Sequence, residues 1–438
     1  MKLAAKKILA MGVAVVLGTP MAAMATNGYF GHGIGMKSMG MGGAGIAMAQ
    51  DSLASATNPA MVALTGNRID FGVNLFRPNR EARVSGTTGP GPTPGMFDGA
   101  YDGNESSMFL IPEFGYSRDL GNGKAFGLTV VGRGGMNTDY DRVFGLYNGA
   151  NNDKPGIDLA QLYVSPTFAM KLNQDHAVGI SLNMIYQRFK AQGLDNFAGM
   201  AADGVGDNLT SGSYDSSTGF SIGLGWTGKV SQILTLGAMY TSKADMSEFD
   251  KYSDLFAEQG DFDIPATLGL GVAVKATPAL TVAFDVTKIY YSDVASISNP
   301  LTPNLLNCPA MGGADQSQCL GGDNGPGFGW EDMTVYKLGF SWQYQGDLVL
   351  RAGFNKGKQP IPSSETFFNF LAPGVVENHL TLGATKTLGN GAELTFAYMH
   401  AFSKEVKGSG SIPGAFGGGE VDLKMSQDAL GVAYGWDM

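Results

Sequence analysis

Histidine, cysteine and a few cations set within apolar stretches are the side chains of this chain with chemistry to offer. Its four histidines, His32, His176, His379 and His400, are scattered over a glycine-rich start, a turn-like stretch and two apolar segments. No Gly-x-Ser-x-Gly elbow or His-Glu-x-x-His run accompanies them. Neither a nucleophile with its base nor a zinc-type site is therefore written locally. A triad gathered from distant strands is the one enzymatic route left, and the chain reads as not an enzyme. Gly31-His32-Gly33-Ile34-Gly35 has the glycine spacing of a phosphate loop, but it follows no strand and opens no βαβ unit. Cys308 and Cys319 share one long connection that holds no histidine. Zinc would need two further ligands there, so the pair reads as a disulfide staple formed in an oxidising compartment. Nothing calls for a metal or a cofactor.

The elements that must carry these residues are strands. After residue 67 the chain offers fourteen short strand-like stretches: 68–76, 108–117, 125–135, 161–171, 176–189, 218–228, 233–243, 264–275, 280–291, 333–344, 347–355, 377–387, 392–403 and 427–437. Phe220, Ile222, Leu224 and Trp226 alternate with Ser221, Gly223, Gly225 and Thr227. Leu394, Phe396 and Tyr398 alternate with Thr395, Ala397 and Met399. A period of two puts each set on its own face of a strand. The connections alternate long and short, the short ones having turn compositions such as Leu172-Asn173-Gln174-Asp175 and Leu388-Gly389-Asn390-Gly391. Hydrocarbon offers the backbone no hydrogen bonds, so strands cross it only in a closed barrel. Short periplasmic turns with longer outer loops are the outer-membrane pattern. The expected fold is all-β, a 14-stranded antiparallel transmembrane β-barrel, apolar outside and small or polar inside.

The start of the chain fits that compartment. Lys2, Lys6 and Lys7 precede an apolar run, Ile8 to Leu17, that is too short to span a bilayer as a helix. Ala23-Met24-Ala25 has the small-x-small form of a cleavage site. Residues 1–25 therefore read as a signal peptide. Without its three lysines the chain has 26 basic and 39 acidic residues, a net charge of −13, which argues against nucleic acid as a partner. Residues 26–66 lack barrel periodicity. They carry Met36, Met39, Met41 and Met48 among Gly40, Gly42, Gly43 and Gly45, and a short helix is expected within 51–64. They are long enough to plug a barrel of this size as a hatch, leaving 67–438 as the barrel. The expected location is the outer membrane of a Gram-negative bacterium, with its lipid as a partner and a monomer as the state.

Several segments, in their order and spacing, resemble the FadL-type outer-membrane transporters, which carry long-chain fatty acids and, in some members, aromatic hydrocarbons. Thr26-Asn27-Gly28-Tyr29-Phe30 is followed about thirty residues on by Asn58-Pro59-Ala60. Ile264-Pro265 enters a strand pair that ends at Tyr290-Tyr291-Ser292. Trp330-Glu331-Asp332, Arg351-Ala352-Gly353-Phe354, Pro360-Ile361-Pro362 and Tyr398-Met399-His400 complete the set. The resemblance implies uptake of a hydrophobic small molecule: capture on outer loops, a lumenal pocket, a hatch that includes Tyr29, Phe30, Asn58, Pro59 and Ala60, and sideways exit through a kinked third strand. The alternative is a general diffusion porin, or a barrel whose loops bind surfaces.

The third stretch holds Gly132, Gly134 and Gly135 around Arg133. Three glycines there favour a bulge, and these four residues are the expected lateral gate. Phe249, Tyr252, Leu255 and Phe256 recur at near-helical spacing behind Ser247, a possible N-cap, and form the expected outer capture site on an exposed loop. Three cations are candidates for a substrate head group. The resemblance points to Arg188, although alternation groups it with the lipid-facing Leu182, Met184 and Tyr186. Lys337 and Arg351 fall on the lumen face by parity. Their plainer role would be to pair with the lumenal acids Asp70, Glu113, Asp285 or Glu393. Glu331 stands near where a fatty-acid carrier of this type would be expected to have a base.

Overall fold

The computed structural model describes residues 26–88, 95, 97–145 and 153–438; the expected signal peptide lies outside them. Fourteen long strands form one antiparallel sheet closed on itself. They are β1 (Arg68–Ser85), β2 (Phe109–Gly121), β3 (Lys124–Asp139), β4 (Gly156–Lys171), β5 (His176–Gln192), β6 (Asp215–Lys229), β7 (Leu234–Thr241), β8 (Thr267–Lys275), β9 (Leu280–Ile289), β10 (Met333–Gln345), β11 (Leu348–Gly357), β12 (Asn378–Thr387), β13 (Glu393–Val406) and β14 (Glu420–Asp437). Each pairs with the next, and β14 returns to β1 from Arg68 opposite Asp437 to Ser85 opposite Glu420. Closure removes the free edges that a bilayer could not satisfy.

The faces follow the sequence alternation. Phe220, Ile222, Leu224, Leu382, Phe396, Tyr398 and Leu430 are exposed on the outer wall, while Ser221, Asp285, Thr381 and Thr395 are buried inside. This inverts a soluble barrel and requires an apolar solvent outside. β1 and β14 run well past the expected 68–76 and 427–437. Their extra outer-face residues are Arg77, Glu81 and Arg83 against Asp428, Lys424 and Asp422, charged positions that carry no lipid-facing signal. Two short strands, Gly99–Asp102 and Asp245–Met246, add to the outer ends of β1 and β6.

Six short turns lie at one end of the barrel, and the described residues of the long connections fold over the other around an aromatic core. The helix expected behind Ser247 does not form. Ser247 instead continues the short strand beside β6, exchanging hydrogen bonds with Thr218 at 2.9 and 3.1 Å. The chain then makes a 3₁₀ turn at Asp250–Tyr252 and a broken turn at Ala257–Gly260. Cys308 and Cys319 are joined as a disulfide in the β9–β10 connection.

Candidate functional site

Residues 26–66 thread the lumen as short turns: Met36–Met39, Ser52–Ala56, Pro59–Met61 and Val62–Thr65. Asp51 caps the second by accepting from Leu53 N, and Asn58 caps the third by accepting from Ala60 N. Asn58 also donates to the Ile46 carbonyl at 2.7 Å and to Trp226 O of β6 at 3.0 Å, which fixes Pro59 and Ala60 against the wall. The lumenal acids hold this segment. Asp285 accepts from Gly45 N and Ile46 N at 2.7 and 3.0 Å. Glu113 accepts from Gly35 N at 3.1 Å. Asp70 accepts from the backbone and hydroxyl of Ser52, and Glu393 pairs with Lys37 at 2.6 Å. The acids are therefore not the partners of Lys337 and Arg351. Inward glycines complete the seat. Gly339 and Gly353 lie against Met41, and Gly179 and Gly225 against Pro59, where a Cβ would collide with the hatch backbone. These glycines and acids were not legible as hatch contacts, because their partners lie far off in the chain.

The wall parts at the third strand. β2 and β3 pair only as far as Glu113 opposite Val131. Above that point β3 keeps its ladder to β4, with a register shift between Gly132 and Gly134 that leaves Arg133 as a bulge, and is met by barrel chain on its open side again at Asp139, which bridges Asn104. Across the parting, Phe109 to Pro112 of β2 pair only with β1. The hatch fills the break as a surrogate strand. Phe30 bridges Gly134, Gly31 N donates to Arg133 O at 3.1 Å, and Gly135 N donates to Tyr29 O at 3.0 Å. Ile111 closes the rest, near enough that a Cβ on Gly132 would come within 3.0 Å of its Cγ2.

Beside this bulge is a small cavity of about 70 Å³. Phe30, Ile34, Ile46, Met239, Ile289 and Val335 make it apolar, and Lys337 and Arg133 give it two cations. Arg133 lies over the Tyr163 ring at 5.2 Å. Lys337 has no ion pair or hydrogen bond among the described residues, although Asp285 stands directly opposite it on β9. Arg351 faces the lumen lower down and donates to Thr385 Oγ1 at 2.6 Å, outside this cavity.

A second, smaller cavity, of about 30 Å³, lies among the outer loops and is lined by Phe189, Leu194, Phe197, Leu255, Phe256, Phe328, Phe368 and Leu371. This corrects the expected capture site. Phe249, Tyr252 and Phe256 are 0, 0 and 3 % exposed and pack on Phe189 rather than facing outward. Of the expected four, only Leu255 and Phe256 line the cavity. A chain of rings joins the two cavities: Phe256 to Phe262 at 4.8 Å, Phe262 to Tyr29 at 6.2 Å and Tyr29 to Phe30 at 4.8 Å. Arg188 is corrected as well. It stays on the outer face, paired with Asp158 at 3.6 Å and lying over Tyr214.

A closed barrel with a filled lumen, a parted wall and two apolar cavities defines a plugged outer-membrane transporter of hydrophobic molecules. The sequence profile of the family described as outer membrane protein transport protein (OMPP1/FadL/TodX) matches residues 19–437, and the chain belongs to that family. Its structure is similar to that of the Pseudomonas putida toluene transporter TodX, with a TM-score of 0.67 and 17 % identity, over 93 % of this chain and 99 % of that one. It is also similar to a Pseudomonas aeruginosa FadL homologue, with a TM-score of 0.65 and 16 % identity, over 96 and 100 %. The Ralstonia pickettii toluene transporter TbuX gives 0.62 and 19 %, over 93 and 99 %. A comparison with curated proteins found no matching sequence. At these identities the likeness is one of fold.

Proposed function

We propose that the protein takes up long-chain amphiphiles of the fatty-acid class. The ligand is captured in the outer cavity, moves along the ring chain to the lumenal cavity, and leaves sideways through the parting between β2 and β3 when Tyr29 to Gly31 withdraw. The break in the β3 ladder, filled by hatch backbone, is the observation that carries this reading. A regular wall would need no such filling. The apolar cavity with Lys337 and Arg133 supports a ligand with a carboxylate at one end. Sideways exit keeps the chain of the ligand out of water, worth roughly 0.8 kcal/mol per CH₂. The similarity to toluene transporters supports a second ligand class, hydrocarbons, through the same apolar walls. A filled lumen speaks against a general diffusion porin.

A photoactivatable long-chain fatty acid, trapped during transfer in reconstituted vesicles, tests the route. Adducts on Phe109 to Ile111 and Arg133 are expected. Adducts confined to the short periplasmic turns would overturn sideways exit.

A further inference from the structure

Four side chains form an unbroken row across the lumen face of neighbouring strands. Asp285 of β9 stands opposite Lys337 of β10, Lys337 opposite Asn355 of β11, and Asn355 opposite His379 of β12. The hatch touches the row on both sides of Lys337. Asp285 takes Gly45 N and Ile46 N, Asn355 Nδ2 donates to the Gly42 carbonyl at 3.3 Å, and His379 is stacked on His32, with ring centroids 6.1 Å apart and planes at 12°. Lys337 alone faces the cavity.

The stack is unusual in what it lacks. His32 and His379 are almost fully buried. Neither ring nitrogen of His379, nor Nε2 of His32, closes a hydrogen bond of good geometry among the described residues, and backbone groups of Asn355 and Thr26 stand by His379 and of Met39 by His32 to receive an imidazolium. No carboxylate pairs with either ring. The charged groups around them are Lys337 in the same row, with Arg133 across the cavity. The carboxylates nearby are engaged elsewhere: Asp285 by hatch backbone, and Glu377, two residues before His379, by Lys404. His400 on β13 lies behind His379 and is bonded to Asp428 on the outer face. Burial first, then His379 and Lys337, holds the His32 imidazole neutral, pulled down to about 3. A neighbouring cation and a dry site both disfavour an imidazolium.

We propose that an anionic head group bound at Lys337 is taken up together with one proton, which the His32–His379 pair receives. The anion cancels the Lys337 charge that opposes protonation. A proton from solvent then occupies one of the ring nitrogens, with no covalent bond made or broken. The new charge sits at the contact between hatch and wall, so occupancy of the lumenal cavity is felt by the hatch. Coupling of this kind is reciprocal: the proton must favour the anion as much as the anion favours the proton. The inference rests on the reading of the lumenal cavity as an anion site.

The test is calorimetry on the full-length protein in micelles, with a long-chain alkylsulfonate, whose charge does not titrate, and the matching alcohol. Near pH ~4.5, in two buffers of different ionisation enthalpy, the sulfonate should bind with net proton uptake and the alcohol with none. Sulfonate affinity should rise about threefold or more between pH ~6 and ~4. His379→Gln and His32→Gln should each flatten that rise while keeping the preference for sulfonate over alcohol. A preference abolished by Lys337→Met but with no proton uptake in the unmodified protein overturns this proposal alone. A sulfonate bound no better than the alcohol overturns the anion reading and this proposal with it.

Discussion

Phe30 of the hatch and Gly134 of the wall are bridge partners, flanked by hydrogen bonds from Gly31 N to Arg133 O and from Gly135 N to Tyr29 O. Such a non-hydrogen-bonded antiparallel pair brings its Cα atoms to about 4.5 Å, within disulfide range. Phe30→Cys with Gly134→Cys should cross-link under oxidation. Uptake should then stop and return with reductant, while Phe30→Cys alone should transport in both states. Full uptake by the cross-linked protein would show that the break is not the exit.

The filling of the lumen by residues 26–66 predicts a quiet barrel. Deleting residues 27–57 removes the backbone groups held by Glu113, Asp285 and Asp70 together with Lys37, the partner of Glu393. Planar-bilayer conductance should rise sharply, from nearly silent to a steady open pore. A deletion barrel that stays silent would mean that loops, not the hatch, close it.

The outer cavity is best probed at its lining. Phe249 is fully buried behind it, and its truncation would cost about 3–5 kcal/mol of loop packing, which would confuse capture with folding. Leu255 borders the cavity itself and is only partly buried. Leu255→Ala should weaken uptake at low ligand concentration about tenfold, as expected for one to two lost methylene contacts at ~0.8 kcal/mol each. Uptake at saturating ligand should be unchanged. Equal loss at all concentrations would place the cavity off the path.

Lys337→Met keeps the volume of the lumenal cavity and removes its unpaired charge. Affinity for a long-chain carboxylate should fall roughly tenfold to a hundredfold, the equivalent of about 1.5–3 kcal/mol for a hydrogen bond to a charged group. Affinity for the matching alcohol should not change. Equal effects on both ligands would make Lys337 a structural residue.

Asp261, in the outer loops, gives a pH signature. Burial, then the Asp263 carboxylate beside it, pushes its pKa up to about 7. An acid whose folded pKa is raised binds more protons folded than unfolded, so its loop is steadiest at low pH and loses that support as pH rises from about 4 through 7. Limited proteolysis of the loop around Asp261 should speed up between pH ~5 and ~8, and Asp261→Asn should abolish the change. Proteolysis independent of pH would show the two acids to be fully solvated.

All fourteen strands were legible, because lipid on one side and lumen on the other impose a period of two that local residues carry themselves. The legibility stopped where the bilayer stops. Beyond Phe76 in β1 and before Gln427 in β14 the alternation inverts: Ala82, Val84, Val421, Leu423 and Met425 are buried inside and charged residues face out, so the lipid-facing signal is lost. For Arg188, parity with Leu182 and Met184 was the better guide. The spacing of Phe249, Tyr252 and Phe256 suggested a helix with an open face. It arises instead from turns wrapped on Phe189, a residue some sixty positions away, and a sequence window cannot see that contact. The same holds for Glu113, Asp285 and Glu393, whose hatch partners are set by closure of the barrel rather than by anything near them in the chain.

The seats of the hatch come from β1, β2, β9 and β13, nearly the whole circumference. The segment that needs them leaves the secretion machinery first, yet its last seat exists only when β13 has joined the sheet. Its full seating therefore waits for closure of the barrel, so the step that removes the last free strand edge is also the step that locks the lumen.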